Sequence, residues 1–379
     1  MSPTLPDSAP RRVDGIDLLR GVSIVLVVLH HVNLHMAFAN LSFAGWLPKP
    51  WARILFWNGQ NGVLIFFAVS GFLITTNARR RWGSLERPRL REFYLLRAVR
   101  ILPLLLVVLA VLSALHLAGA RDFVITPSQC SLTRAVVAAL VFHVNALESA
   151  VGYLPANWDV LWSLAVEEVF YLGLPLACLL LRRQRWIVAA LLMLVAVAPL
   201  ARVHYGNSLW AEYGYLCRMD AISFGCLAAI AAPRLITRAR LLRNLAGLGL
   251  ALMLFSLVVI RWWHLPEELR WFLRLGLDDS TFPLGVALLL PWLTANAGRL
   301  GWPSAPLCWF GRNSYEVYLT HMFVASWGIQ FFIAGHWTVG WSPFAYLLWL
   351  ALAGALGALV ARSFSEPINR NLRHRLGIL

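Results

Sequence analysis

Residues 17–38 read DLLRGVSIVLVVLHHVNLHMAF, and this run decides the fold class. It is long enough to cross a bilayer as a helix, which takes ~20 mostly apolar residues. Similar runs recur through the 379 residues, of which 59% are hydrophobic and only 13% are charged. A soluble domain carries about 25% charged residues. The composition therefore excludes a soluble globular protein and predicts an all-α, polytopic transmembrane helical bundle.

The apolar runs and their polar flanks predict about ten membrane spans within one domain. The predicted spans are 17–38, 53–76, 93–116, 160–181, 186–203, 216–232, 244–260, 281–297, 309–334 and 342–362. The stretch 132–146 is shorter, so we expect a re-entrant or interfacial helix there. The membrane domain is predicted to cover residues 14–368. A polar cytoplasmic segment, 1–13, precedes it, and a basic cytoplasmic tail, 369–379, follows it.

The placement of arginine predicts the orientation of the bundle. Arginine clusters at 79–91, 182–185 and 234–243 alternate with outer loops in which arginine is sparser and mixed with acidic residues. By the positive-inside rule, this asymmetry places both termini in the cytoplasm. The net charge of +15 is scattered between apolar runs rather than gathered on one basic helix. We therefore expect the lipid bilayer, and no nucleic acid, as a partner. The five cysteines show no metal-binding spacing, and we expect no metal.

Ionisable side chains within the first span are candidates for a functional site, because such groups are costly inside a membrane. Asp17, Arg20 and His31 lie on one helix face, since the eleven residues from Arg20 to His31 complete about three turns. A neutral imidazole at that depth suits a general base, with Asp17 or Glu167 to orient it. The structural alternatives are interfacial snorkelling of Asp17 and Arg20 and a hydrogen-bonded core histidine.

The fourth span carries a polar face. Ser163, Glu167 and Tyr171 follow Trp162 at spacings i, i+4 and i+8, which place them on one side of a helix. Two adjacent glutamates in an apolar helix are hard to explain by packing. One of them could instead pair with a buried arginine, which is the structural alternative.

The third and second spans suggest a phosphate-binding region. Arg97 and Arg100 are i, i+3 neighbours, and paired guanidinium groups can each donate two parallel hydrogen bonds to a phosphate. Positive-inside anchoring would also produce such a pair. Ser70, Gly71 and Phe72 supply small and hydroxyl side chains at the inner end of the second span, where a helix or a ligand could approach closely.

Seven segments in this order resemble acyltransferase family 3, whose members are integral-membrane enzymes that O-acylate cell-surface polysaccharides, peptidoglycan and other hydroxyl acceptors. The segments are Asp17-Leu-Leu-Arg20 with His31, Phe66 to Leu73, Arg97-x-x-Arg100, Trp162 to Tyr171, Arg218 with Gly225, Gly311 to His321, and Glu366-Pro367. The resemblance covers residues 14 to 368. Departures from the family pattern at Ala68, Ala165 and Thr320 bear on the acceptor rather than on the reaction class.

The resemblance implies an acyltransferase of the cell inner (cytoplasmic) membrane that uses acyl-CoA, usually acetyl-CoA, as co-substrate and a carbohydrate or other hydroxyl acceptor. His31 would be the essential catalytic residue, Arg20 its first-helix partner, and Glu167 an essential carboxylate. Cofactor-binding residues would be Arg97, Arg100, Ser70, Gly71 and Phe72. Substrate-binding residues would be Trp162, Ser163, Tyr171, Arg218, Tyr315 and His321.

The sequence leaves open how the acceptor is handled, whether a serine carries the acyl group, and whether the protein is an enzyme or a transporter. Many relatives carry a fused outer hydrolase-like domain, whereas this sequence ends soon after its last span. We therefore expect the acceptor to be handled within the bundle or by a separate envelope partner. Ser70 or Ser163 could hold the acyl group briefly in a covalent relay. The alternative function is a proton-coupled secondary transporter, although the sequence lacks the paired interrupted helices typical of that class.

Overall fold

The computed structural model describes residues 14–260, 270–296 and 301–378. Helices joined by turns and short connections make up these residues, and no strand occurs among them. The predicted all-α fold is therefore confirmed. The predicted segment 1–13, position 297 at the end of one predicted span and position 379 of the tail lie outside the described residues.

Seventeen α-helices occur in the described ranges. They are α1 Asp14–Phe38, α2 Lys49–Phe56, α3 Gly59–Trp82, α4 Leu90–Leu117, α5 Leu132–Leu140, α6 Val144–Val151, α7 Leu161–Leu181, α8 Gln184–Tyr205, α9 Leu209–Tyr213, α10 Tyr215–Ile236, α11 Ala239–Leu254, α12 Arg270–Arg274, α13 Asp278–Ala295, α14 Ala305–Arg312, α15 Ser314–Ala334, α16 Ser342–Val360 and α17 Glu366–Arg375. Short π-helical segments extend α11 over Phe255–Ile260 and join α16 to α17 over Ala361–Ser365.

Nine helical segments of the described chain are long and apolar enough to cross a membrane. They correspond to nine of the predicted spans, and the protein is therefore a multi-pass membrane protein. The segments are Asp14–Phe38, Gly59–Trp82, Leu90–Leu117, Ala156–Leu181, Gln184–Tyr205, Leu209–Ile236, Ala239–Val258, Ser314–Ala334 and Val339–Arg375. The tenth predicted span, 281–297, coincides with α13, which is not among the nine and packs against α3, α10 and α11.

The stretch predicted to be re-entrant or interfacial, 132–146, is helical but broken. It forms α5, with nine residues, and the start of α6, with eight. The Ser131 side chain caps α5 by accepting a hydrogen bond from the Arg134 backbone N–H at 3.3 Å. A nine-residue helix is about 14 Å long at 1.5 Å per residue, so it cannot cross a hydrocarbon core of about 30 Å.

Glycines allow two close helix crossings that set the shape of the bundle. A Cβ on Gly71 would lie 2.0 Å from the carbonyl oxygen of Ile222, and one on Gly225 would lie 1.9 Å from that of Ala68. Helices α3 and α10 therefore touch backbone to backbone. A Cβ on Gly311 would likewise lie 1.8 Å from the carbonyl oxygen of Asp17, so α14 crosses α1 at equally close range. Any side chain at these glycines would push the helices apart.

The predicted span 309–334 is divided into two helices. The chain breaks at Asn313, between α14 and α15. The close crossing with α1 holds α14 in place, and α15 then runs alongside α1 and α16. This break separates Arg312, at the end of α14, from Tyr315 and His321 on α15, and the three side chains take different positions in the site.

Candidate active site

A wide cavity of about 870 Å³ opens at the end of the bundle where α3 ends and α4 begins. Eight arginine side chains line this cavity, against the two carboxylates of Asp17 and Glu92. The arginines are Arg20, Arg79, Arg80, Arg81, Arg97, Arg100, Arg312 and Arg373. We call this cavity the basic vestibule. Its excess of guanidinium groups suits a ligand that carries several phosphates.

A narrower cavity of about 120 Å³, here called the inner cavity, lies between α1, α3, α4, α7 and α15. Its polar lining includes Arg20, Ser70, Asn77, Arg97, Arg100, Ser163, Glu167, Tyr171, Tyr315 and Tyr318. Ser163, Glu167 and Tyr171 all line it, on the one face of α7 that their spacing places together.

The basic vestibule and the inner cavity meet at a common constriction. Both cavities are lined by Arg20, Leu73, Ile74, Asn77, Arg97 and Arg100. We call these six residues the neck. A molecule with a charged end and a narrow chain could therefore keep its charge in the vestibule while the chain passes the neck into the inner cavity.

Arg97 is tied to two glutamates and a tyrosine of α7. Its Nη2 atom donates a hydrogen bond to Glu168 Oε1 at 2.8 Å and lies 4.0 Å from Glu167 Oε1. The guanidinium carbon lies 3.8 Å from the centre of the Tyr171 ring, a cation–π contact. The Tyr171 hydroxyl donates to Glu167 Oε1. Glu168 is therefore the arginine-paired member of the glutamate pair, and Glu167 faces the cavity.

Arg100 differs from Arg97 in having no such partner. Within residues 14–260, 270–296 and 301–378, no carboxylate oxygen lies within 4 Å of its guanidinium group. Arg100 is exposed to the open part of the cavities, whereas Arg97 is part-buried and partly neutralised by Glu168. Arg100 is thus better placed than Arg97 to take a new anionic partner.

Ser163 and Tyr318 form a hydrogen-bonded pair in the inner cavity. The Tyr318 hydroxyl donates to the carbonyl oxygen of Val160 at 2.7 Å and lies 2.6 Å from Ser163 Oγ. Since the tyrosine proton goes to Val160, Ser163 is the donor in the second bond. Among the described residues, Ser163 makes no hydrogen bond to a base that could activate it as a nucleophile.

His31 contacts a second histidine on α15. Its Nδ1 atom lies 2.9 Å from the carbonyl oxygen of Val27 and 3.3 Å from His321 Nε2. His321 Nδ1 in turn lies 2.7 Å from the carbonyl oxygen of Tyr318. The two imidazole rings are 5.0 Å apart. His31 is therefore oriented from α15 as well as from its own helix.

These contacts assign the tautomers of both histidines. A carbonyl oxygen can only accept, so each Nδ1 carries a proton in the neutral ring. His321 Nε2 is then an acceptor, and the His31 Nδ1–H is shared between Val27 and His321. The His31 Nε2 atom keeps its lone pair and can take a proton, after which His321 stabilises the imidazolium. This is the arrangement that a general base needs.

The expected carboxylate partners of His31 are placed elsewhere. Asp17 lies fourteen residues before His31, about 21 Å along the helix at 1.5 Å per residue, and its side chain lines the vestibule. Glu167 is bonded to Tyr171 in the inner cavity. The structure brings His321 to His31 Nδ1 instead, because α15 packs directly against α1.

The predicted site residues fall into three groups. Lining one or both cavities are Asp17, Arg20, Ser70, Phe72, Arg97, Arg100, Ser163, Glu167, Tyr171 and Tyr315. His31 and His321 do not line the described cavities and adjoin them through Tyr318, whose ring centre is 5.9 Å from that of His321.

Three predicted site residues lie apart from both cavities. Gly71 lies at the close crossing of α3 and α10. Trp162 is buried and stacks on Tyr213, with ring centres 4.2 Å apart. Arg218 donates to Asp279 Oδ2 at 2.8 Å near the start of α10, at the far end of that helix from the vestibule.

Several residues of the two cavities were not predicted as site residues from the sequence. Arg312 and Arg373 line the vestibule, Tyr318 lines the inner cavity and Asn77 belongs to the neck. The i, i+3 spacing of Tyr315 and Tyr318 was a usable signal for the tyrosine. No sequence signal distinguished Arg373 from its basic neighbours. Among the residues that the structure describes, no group of three or more His, Cys, Asp or Glu side chains is arranged to hold a metal ion.

The architecture is that of a multi-pass membrane protein with a basic vestibule that leads to a buried polar cavity. The model of the acyltransferase domain family matches residues 13–362. The chain belongs to this family, acyltransferase family 3, and the resemblance inferred from the seven segments is confirmed.

Comparison with curated proteins gives relatives that are named as O-acetyltransferases. The chain is 23% identical over 385 residues to O-acetyltransferase OatA of Staphylococcus aureus strain NCTC 8325 / PS 47, and equally to OatA of strain COL. Each alignment covers 96% of this chain and 58% of the relative, so the chain spans little more than half the length of the proteins it matches. No solved structure matches it.

Proposed function

We propose that this protein is a membrane O-acetyltransferase that moves an acetyl group from acetyl-CoA to a hydroxyl of a carbohydrate or other cell-envelope or secreted acceptor. The family supports acyl transfer, and the O-acetyltransferase relatives support the acetyl group. In this proposal the vestibule faces the cytoplasm across the cell inner membrane. The arginine distribution supports that orientation, because the vestibule gathers the arginines of 79–81. The acceptor comes from the opposite side, within the bundle or presented by a separate envelope partner.

The neck is the observation that carries the proposal. Acyl-CoA has a phosphate-rich nucleotide end and a thin, mostly neutral arm that ends in the thioester. The basic vestibule and the narrower inner cavity match these two parts in charge and in width, and they meet at Arg20, Arg97 and Arg100. The phosphates would bind the vestibule arginines, and the thioester would lie near Ser163 and Glu167.

His31 is the proposed general base. Its Nε2 atom takes the proton of the acceptor hydroxyl and the oxygen attacks the thioester carbonyl. The C–S bond then breaks, and the leaving sulfur takes the proton back from the His31 imidazolium, so that CoA is released as a thiol. His321 positions the ring and shares the charge of the imidazolium through its Nε2 lone pair. Glu167, held by Tyr171, contributes a part-buried carboxylate beside the neck. A relay through Ser163 is disfavoured, because the Ser163 hydroxyl donates to Tyr318 rather than to a base.

The test uses the purified protein in proteoliposomes with [14C]acetyl-CoA and surface glycans from cells that lack the gene. The wild type should release free thiol only when acceptor is present and form one labelled ester for each thiol. His31→Gln should reduce both by at least ~100-fold, a typical share for a general base. His35→Gln is the matched control, because His35 lies one turn further along α1 and its Nδ1 atom lies 2.9 Å from the backbone carbonyl oxygen of His31, whereas the His31 ring contacts His321. Proton-dependent uptake without thiol release would instead support the transporter.

A further inference from the structure

The last helix of the described chain returns to the vestibule. After the π-helical turn Ala361–Ser365, α17 packs against α4, the helix that carries Arg97 and Arg100. Four basic side chains lie in its last six residues, namely Arg370, Arg373, His374 and Arg375. Only Arg373 of these lines the vestibule, while the other three are exposed on the remaining surface of the helix.

Arg373 has an unsatisfied donor and like-charged neighbours. Its Nε atom is buried without a hydrogen-bond partner among the described residues. Two further guanidinium groups, those of Arg100 and Arg81, line the same cavity. A buried donor without a partner is unfavourable, and so is the approach of like charges. Both costs disappear when an anion binds between the three arginines.

Carboxylates of the described chain do not supply that anion. Arg81 donates to Glu92 Oε1 at 2.8 Å, and the other oxygen of Glu92 lies 3.6 Å from Arg89. No described carboxylate lies within 4 Å of Arg100 or Arg373. Two of the three guanidinium groups are therefore open to a ligand, and both face the cavity in which the donor is proposed to bind.

We propose that Arg373, together with Arg100 and Arg81, binds a phosphate of the acyl donor, and that α17 thereby makes the enzyme select CoA thioesters over thioesters that lack the nucleotide. Arg373 is a specificity-determining residue in this proposal. The inference rests on the proposed function, since it assumes a phosphate-bearing donor. It goes beyond that function in assigning donor selection to the C-terminal helix, outside the segment 13–362 that the family model matches.

The experiment compares Arg373→Ala with Arg375→Ala in the full chain. Arg375 lies two residues further along the same helix, is exposed and lines neither cavity. With acetyl-CoA, Arg373→Ala should raise KM about tenfold with little change in kcat, as expected for a charge-assisted hydrogen bond. Arg375→Ala should stay within twofold of the wild type. With acetyl-pantetheine, which has no phosphate, Arg373→Ala and the wild type should have equal KM.

Acetyl-dephospho-CoA identifies the phosphate. This donor lacks the 3′-phosphate and keeps the diphosphate. If Arg373→Ala no longer raises KM with it, Arg373 binds the 3′-phosphate. If Arg373→Ala still raises KM, Arg373 binds the diphosphate. The inference is overturned if Arg373→Ala equals Arg375→Ala with acetyl-CoA, or if its KM effect is undiminished with acetyl-pantetheine.

A measurement of CoA binding distinguishes a failure of this inference from a failure of the proposed function. The rise in melting temperature with added CoA can be measured without turnover, on protein whose melting temperature without ligand shows that it is folded. A smaller rise for Arg373→Ala than for Arg375→Ala supports the inference, and an equal rise contradicts it. A wild type that binds CoA but transfers no acetyl group would contradict the proposed function alone.

Discussion

Arginines occur in two contrasting settings at opposite ends of α10. Near its start, Arg202 donates to Asp220 Oδ2 through both Nη atoms at 3.1 Å and to the carbonyl oxygen of Gly276 at 2.9 Å. Arg218 in the same region pairs with Asp279. At the vestibule, Arg100 and Arg373 meet no carboxylate of the described chain within 4 Å.

The contrast separates a structural role from a binding role. Arg202 has only 8% of its surface exposed, and all three of its guanidinium nitrogens donate hydrogen bonds, so it has no donor to offer a ligand. Arg100 and Arg373 instead line the open vestibule without a carboxylate partner among the described residues. A cationic side chain in a membrane protein is thus explained by its partners when they are present, and by a ligand when they are absent.

The largest effect is expected at the inner cavity. Glu167→Gln removes a part-buried carboxylate that pairs with no arginine at closer than 4.0 Å, so we expect at least ~100-fold loss of acetyl transfer and little loss of stability. Rates per molecule and melting temperatures would be measured together. Glu86→Gln is the matched control, since Glu86 accepts a backbone hydrogen bond from Gln184 away from both cavities. Normal transfer by Glu167→Gln would remove the carboxylate from the mechanism.

The second-largest effect is expected near the start of α10, where Arg202 pairs with Asp220. Arg202→Met leaves Asp220 buried without its cation, and breaking a buried ion pair costs about 3–5 kcal/mol. We expect a clear fall in melting temperature, with unchanged transfer by the molecules that remain folded. The double variant Arg202→Met/Asp220→Leu should recover part of the loss, because no unpaired charge remains. An Arg202→Met protein as stable as the wild type would show that this pair is not structural.

Arg100, at the vestibule, should respond differently from Arg202. Arg100→Gln removes a cation that lines the vestibule with Arg373 and Arg20 and has no described carboxylate within 4 Å, so the melting temperature should change little. The KM for acetyl-CoA should rise about tenfold, since a phosphate contact is lost. Arg91→Gln, at an exposed position on α4 outside both cavities, is the control. Destabilisation comparable to that of Arg202→Met would erase the distinction between the two settings.

The smallest effect tests a buried carboxyl outside the nine candidate spans. Burial, with a further contribution from Asp159, raises the pKa of Glu148 well above its ordinary value. Since the folded-state pKa exceeds the unfolded one, the stability linked to this proton is present at low pH and is lost as pH rises through the raised pKa. Glu148→Gln cannot ionise, so it should keep its melting temperature at alkaline pH better than the wild type does. A wild type that gains stability relative to Glu148→Gln as pH rises would contradict this assignment.

Periodicity within one helix made much of the site predictable. The faces that hold Asp17 and Arg20 on α1, and Ser163, Glu167 and Tyr171 on α7, follow from residues that are close in sequence. The helical bundle followed from the length of the apolar runs in the same way.

Partners brought together by tertiary packing were not predictable. Whether Glu167 or Glu168 would pair with an arginine depends on how α7 rotates against α4. That His321 rather than a carboxylate contacts His31 depends on the break at Asn313, which sets the start of α15. Gly71 was ambiguous for a different reason, because a small residue serves a ligand or a helix crossing equally well.

The central claim is that one continuous site of vestibule, neck and inner cavity binds the acyl donor. Its most direct test is a structure of the protein with a non-hydrolysable acetyl-CoA analogue. We predict phosphates within hydrogen-bonding distance of Arg100 and Arg373 and the acetyl group beside Ser163 and Glu167. An analogue bound at the opposite end of α10, or one whose arm does not pass between Arg20, Arg97 and Arg100, would contradict the account.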